Sequence, residues 1–184
     1  MKSILIYSTL TGNTKKVAES IKEVMPENTD FISIDEAKNI ENFDDYDFIT
    51  IGYWVDRGTA DKKTLEVLKN IKNKKIAFFF TLGAYPDSEH AQKCVDRFEE
   101  LMKNNNNEVL GHFHCQGKID PRLAEKFKNL PPDHPHAMNE ERKKDMLKLQ
   151  NIQMMKIFKK QKILFQKYFQ IFKQKIIDYL IFNR

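Results

Sequence analysis

The chain has 184 residues, 41% of them hydrophobic, 11% aromatic and 31% charged, which suits one core of ordinary size and excludes a wholly disordered chain. The net charge of +5 is uneven: residues 148–184 hold nine Lys or Arg against the single acid Asp178, which leaves residues 1–147 at −3. The basic balance therefore belongs to the tail, and the body carries no electrostatic footprint for nucleic acid.

Taken in chain order, the body alternates apolar runs with amphipathic stretches. Ser3 to Tyr7 is a short apolar run that predicts a buried strand. Asn13 to Met25 reads as a helix, with Val17, Ile21, Val24 and Met25 on one face and Pro26 ending it. Phe31 to Ile34 is a second strand, and Asp47 to Gly52 a third. Asp61 to Ile71 reads helical through Leu65, Leu68 and Ile71. Lys75 to Leu82 is a fourth strand. Asp87 to Lys103 reads helical through Ala91, Val95, Phe98 and Met102, and Val109 to Cys115 is a fifth strand.

Strict alternation of strand and helix predicts right-handed crossovers and a parallel sheet covered on both faces. Five strands suit the order 2-1-3-4-5 of a three-layer αβα sandwich. A ligand is then expected at the carboxyl ends of the strands, where the order reverses. The segments after Tyr7, Gly52 and Leu82 become the candidates.

Ser8-Thr9-Leu10-Thr11-Gly12-Asn13-Thr14 follows the first strand. A phosphate monoester needs many donors in a small volume. The hydroxyls, the Asn13 amide and the start of the helix supply them, and Gly12 lets the backbone close around an anion. The loop has no Lys or Arg, so it is not a nucleoside-triphosphate loop of the pattern GxxxxGK[ST], and its single glycine does not make the dinucleotide pattern GxGxxG. A polar turn that merely caps a helix is the alternative. The chain's one Trp, Trp54, lies at the same edge, where it would either stack on a flat ring or cover the core.

The string S-T-x-T-G-N-T followed by K-K-V-A resembles the phosphate loop of the flavodoxin family. That resemblance implies FMN as cofactor, with Ser8, Thr9, Thr11, Gly12, Asn13 and Thr14 holding its phosphate. It implies that Tyr53 and Trp54 lie in a loop against the ring, with Gly58 permitting a peptide flip beside flavin N5. It also implies ring contacts from Thr81, Gly83, Ala84 and Tyr85, with Tyr85 over the second face. The spacing there departs from the acidic Gly-Asp-x-x-Tyr arrangement of electron-transfer flavodoxins.

The strings 52–61, 81–86, 115–121 and 131–138 resemble the BilS subgroup of that family more particularly. This implies an accessory flavoprotein that delivers electrons to a partner reductase, by resemblance a bilirubin reductase. Two alternatives stay open: an NAD(P)H-dependent FMN reductase acting on quinones or other small acceptors, and a binding module without flavin. Lys118 would approach the flavin N1–C2 edge or lie on the surface. Cys115 is read as packing rather than as a redox thiol, and the His112/His114 and His134/His136 pairs lack a third metal ligand nearby.

No run approaches the ~18 apolar residues of a membrane span, and the apolar run at the start is too short for a signal peptide. Cys94 and Cys115 suggest no disulfide framework, so a cytoplasmic location is expected. Residues 148–184 lack Gly, Pro, Ala, Val, Ser, Thr and Glu. One reading is a basic amphipathic helix that meets a membrane or an acidic partner. The preferred reading is a frameshifted ending, because Lys148 to Ile157 can be encoded so that the shifted frame reads Ala-Ala-Lys-His-Pro-Asp-Asp-Glu-Asp. Sequencing the gene decides between them.

Overall fold

The computed structural model describes residues 2–117, together with Ile163, Leu164, Gln166, Lys167, Gln170, Ile171 and Gln174. The readings made for Lys118, for 131–138 and for most of the tail lie outside these residues. Strands β1 (Ser3–Tyr7), β2 (Asp30–Ser33), β3 (Phe48–Asp56), β5 (Lys75–Leu82) and β6 (Glu108–Gln116) form a parallel sheet ordered β2-β1-β3-β5-β6. This is the expected five-strand order. One strand is added to it: β4 (Thr59–Ala60) pairs antiparallel with the end of β3.

The helices are α1 (Asn13–Lys22), α2 (Ile34–Ala37), α3 (Lys62–Leu68) and α4 (Glu89–Asn104). Strand side chains alternate between faces, so each face of the sheet carries its own core. On one face Ile4, Ile6, Ile49, Ile51, Ile76, Phe78 and Phe80 pack with α2, α3 and α4. On the other, Leu5, Phe48, Ala77, Phe79 and Cys115 pack with Val17, Ala18 and Ile21 of α1.

Several boundaries differ from expectation, α1 ending at Lys22 and α3 at Leu68 among them, and three have clear local reasons. Ile34 opens α2 rather than ending β2, because Ser33 and Glu36 form a capping box, with Ser33 N–H donating to Glu36 Oε2 at 2.7 Å. α3 begins after Asp61, whose carboxylate accepts from Thr64 N–H at 3.3 Å and Thr64 O–H at 2.7 Å. The segment expected as a loop after Gly52 is strand as far as Asp56. It turns through Arg57 (φ 51°) and Gly58 (φ 80°) and returns as β4. Two successive positive φ values in a two-residue connection are what a right-twisted hairpin demands.

Candidate functional site

The carboxyl ends of β1, β3, β5 and β6 converge beside the start of α1. Ser8 N–H donates to Gly52 O at 2.8 Å and so carries the β1–β3 ladder one step past Tyr7. Gly12 then takes a left-handed conformation (φ 83°) and, as the residue that opens α1, supplies no side-chain capping bond. A Cβ placed at Gly12 would meet nothing within 4 Å among the described residues, so the space beside Gly12 is open. The first amides of the helix carry its positive end, which favours an anion there.

The hydroxyls of the loop are ordered by acceptance. Gly12 N–H donates to Thr9 Oγ1 at 3.0 Å, and Asn13 Nδ2–H donates to Thr11 Oγ1 at 2.7 Å. A hydroxyl that accepts from nitrogen retains its own proton to donate. Thr14 is buried and shares a hydrogen bond with Thr81 Oγ1 at 2.9 Å, which ties α1 to the end of β5. Residues 8–14 contain no charged side chain. The result is a set of neutral donors around a glycine-led helix start, a chemistry that fits a phosphate monoester.

Gly117 belongs to this site, although the sequence pointed only to its neighbours. Its N–H donates to Leu82 O at 2.8 Å, and a Cβ there would stand 3.3 Å from both Asn13 Nδ2 and Thr81 Cβ. Absence of a side chain lets the end of β6 close on the loop. A glycine two residues beyond a predicted strand is the signal that identifies it.

The structure separates Tyr53 from Trp54. Tyr53 was expected at a ring-facing loop, but its side chain is fully buried in the core, stacked on Phe98 at 4.9 Å and Phe80 at 5.2 Å. Only its backbone remains for a ligand. Strand alternation puts Trp54 on the opposite face, the side of α1, in register with Thr81 and half-buried. Tyr53 Oη is buried with no hydrogen-bond partner among the described residues. An orphaned hydroxyl costs about 1–3 kcal/mol. Tyr53→Phe is therefore expected to raise stability by about 1 kcal/mol in urea unfolding and to leave ligand affinity unchanged. A loss of stability would show that the hydroxyl is needed where it lies.

Gly83, Ala84 and Tyr85 lie on the turn after β5, with Tyr85 46% exposed. Two side chains of β6 stitch this turn to the sheet. His114 Nε2–H donates to Pro86 O at 2.7 Å, and Gln116 Nε2–H donates to Gly83 O at 3.4 Å. His112 and His114 stack on Phe78 and Phe80 at 5.3 Å and 4.9 Å, a packing role. Burial, with His114 beside it, holds the pKa of His112 below its ordinary value, so neutrality is favoured despite Glu99 at 3.7 Å. Burial pushes the Cys115 thiol up to about 12, so it keeps its proton at neutral pH and is no nucleophile. Gly58 is buried at the hairpin tip, against His90 and Arg97 of α4.

A family model described as Flavodoxin domain matches residues 4–152. The chain belongs to the flavodoxin family. A flavodoxin-like domain-containing protein, BilS of Clostridioides difficile (strain CD3), is 41% identical over 140 residues, covering 74% of this chain and 79% of its own. BilS of Clostridium symbiosum (strain WAL-14163) is 25% identical over 153 residues, covering 73% and 78% respectively. Among solved structures, oxidised Flavodoxin 2 from Bacillus cereus superposes with a TM-score of 0.51 at 22% identity, over 68% of this chain and 92% of its own. That last likeness speaks for the flavodoxin fold alone. No helix among the described residues of this flavodoxin domain is long and apolar enough to cross a membrane.

Proposed function

We propose that this flavodoxin domain binds FMN and passes electrons to a partner reductase. Ser8, Thr9, Thr11, Gly12, Asn13 and Thr14 hold the phosphate, and Trp54 and Tyr85 flank the ring. One observation carries the reading: the uncharged donor loop at a glycine-led helix start, drawn against Thr81 and Gly117 where the ends of β1, β5 and β6 meet. Bound FMN would supply the one- or two-electron chemistry that no side chain here provides. The chain's residues bind and orient. Hydroxyls and amides receive the phosphate, the indole and phenol shield the ring from water, and Thr81 holds Thr14 in place. Resemblance to BilS points to a bilirubin reductase as the partner, in the cytoplasm.

The test is a visible-absorbance titration of the full chain with FMN. Thr11→Val and Trp54→Ala are each expected to weaken affinity about tenfold, the scale of one charge-assisted hydrogen bond or one aromatic stack. Unchanged affinity in both variants would remove the site assignment. NADH oxidation by the purified protein without a reductase would instead make it an NAD(P)H-dependent flavin reductase.

A further inference from the structure

β3 outruns its neighbours. Its pairing with β5 ends at Trp54↔Thr81, and its pairing with β1 ends earlier, at Gly52. Among the described residues, the strand beyond Trp54 is paired only with the two residues of β4. An isolated two-stranded ribbon is marginal in water, so this arm needs anchors. Val55 and Ala60 supply one at its base by packing into the core. The other is at its tip, where Arg97 Nη1–H of α4 donates to Gly58 O at 2.8 Å across 39 residues.

The fit at the tip is close. A Cβ at Gly58 would come within 2.5 Å of Arg97 Nη1 and 3.5 Å of His90 Cε1, so a side chain there would have to displace the guanidinium from its present place. Gly58 also needs its positive φ of 80° for the turn. A guanidinium donating to a carbonyl is a charge-assisted bond, stronger than a neutral pair.

We propose that Arg97 is a positioning residue: it fastens the hairpin tip to α4 and thereby sets the indole of Trp54 at the ligand edge. The consequence for ring binding rests on the FMN reading above. The fastening itself does not, because it acts in the ligand-free chain. Arg97 lies at the surface of α4, so its replacement spares the core.

Trp54 is the chain's one tryptophan and stands at the base of the arm, where the pairing with β5 ends, so its fluorescence reports on motion passed down from the tip. Anisotropy decay of its fluorescence in the ligand-free full chain is expected to gain a fast nanosecond component in Arg97→Met and to regain most of its slow decay in Arg97→Lys, which keeps a donor. Binding of FMN and of riboflavin, which lacks the phosphate, then locates the effect. Arg97→Met should weaken both by the same factor, about tenfold, with its urea midpoint near wild type, whereas Thr11→Val should weaken FMN alone. Unchanged Trp54 anisotropy in Arg97→Met overturns the fastening. Changed anisotropy with unchanged riboflavin affinity overturns the positioning role and leaves the FMN reading standing. If the wild-type chain binds neither flavin, the FMN reading and the ring-positioning role fall together.

Discussion

Gly52→Ala should cost this domain about 3 kcal/mol of stability, the upper end for overfilling a packed core. The backbone of Gly52 lies beneath the ring of Phe79. A Cβ there would fall 2.1 Å from Phe79 Cζ and 2.5 Å from Cε2. Phe79 is wholly buried among Leu5, Phe48, Ala77 and the face of α1, so the ring cannot turn aside without displacing that helix. The displaced helix would be the one whose start adjoins the loop proposed to hold the phosphate. The same substitution is therefore expected to weaken FMN binding as well. Urea unfolding of Gly52→Ala, of Phe79→Leu and of the pair checks the cause. A smaller aliphatic side chain at position 79 should absorb the added methyl, so the double variant should be more stable than the sum of the singles requires. Strict additivity would show that the two positions do not touch.

The second large effect is expected at Thr14 and Thr81, two buried hydroxyls whose mutual hydrogen bond spans 67 residues. Thr14→Val removes one partner and leaves the other inside the protein, a loss of about 1–3 kcal/mol. Thr81→Val should behave alike. The double variant should recover about 1 kcal/mol of the summed loss, because no orphaned hydroxyl then remains. FMN titration of the same three proteins separates packing from binding. If Thr14 donates to the phosphate, both variants that lack its hydroxyl bind FMN more weakly than Thr81→Val. Equal affinities across all three would confine Thr14 to tying α1 to β5.

Gly52 and Tyr53 show where a one-dimensional reading stops. Both stand in the string that follows the apolar core of β3, and nothing local distinguishes an aromatic that faces inward from one that faces a ligand. Strand alternation decides it only once the strand is known to continue past Gly52, and pairing with Phe80 and Thr81 of β5 is what carries it to Trp54. The capping box at Ser33 and Glu36 was legible in the sequence as an S-x-x-E signature, yet the preceding apolar pair drew Ile34 into the strand.

By itself the sequence determined the alternation of strands and helices, the parallel order that follows from it, and the neutral, glycine-bearing loop after β1. These are matters of local periodicity and turn chemistry, which neighbouring residues settle among themselves. The tertiary structure alone decided that Tyr53 belongs to the core while Trp54 keeps the rim, that Phe79 covers Gly52, and that Arg97 reaches Gly58. Each of these is a contact between residues far apart in the chain. Close packing joins such residues only after the crossovers have brought their strands and helices together.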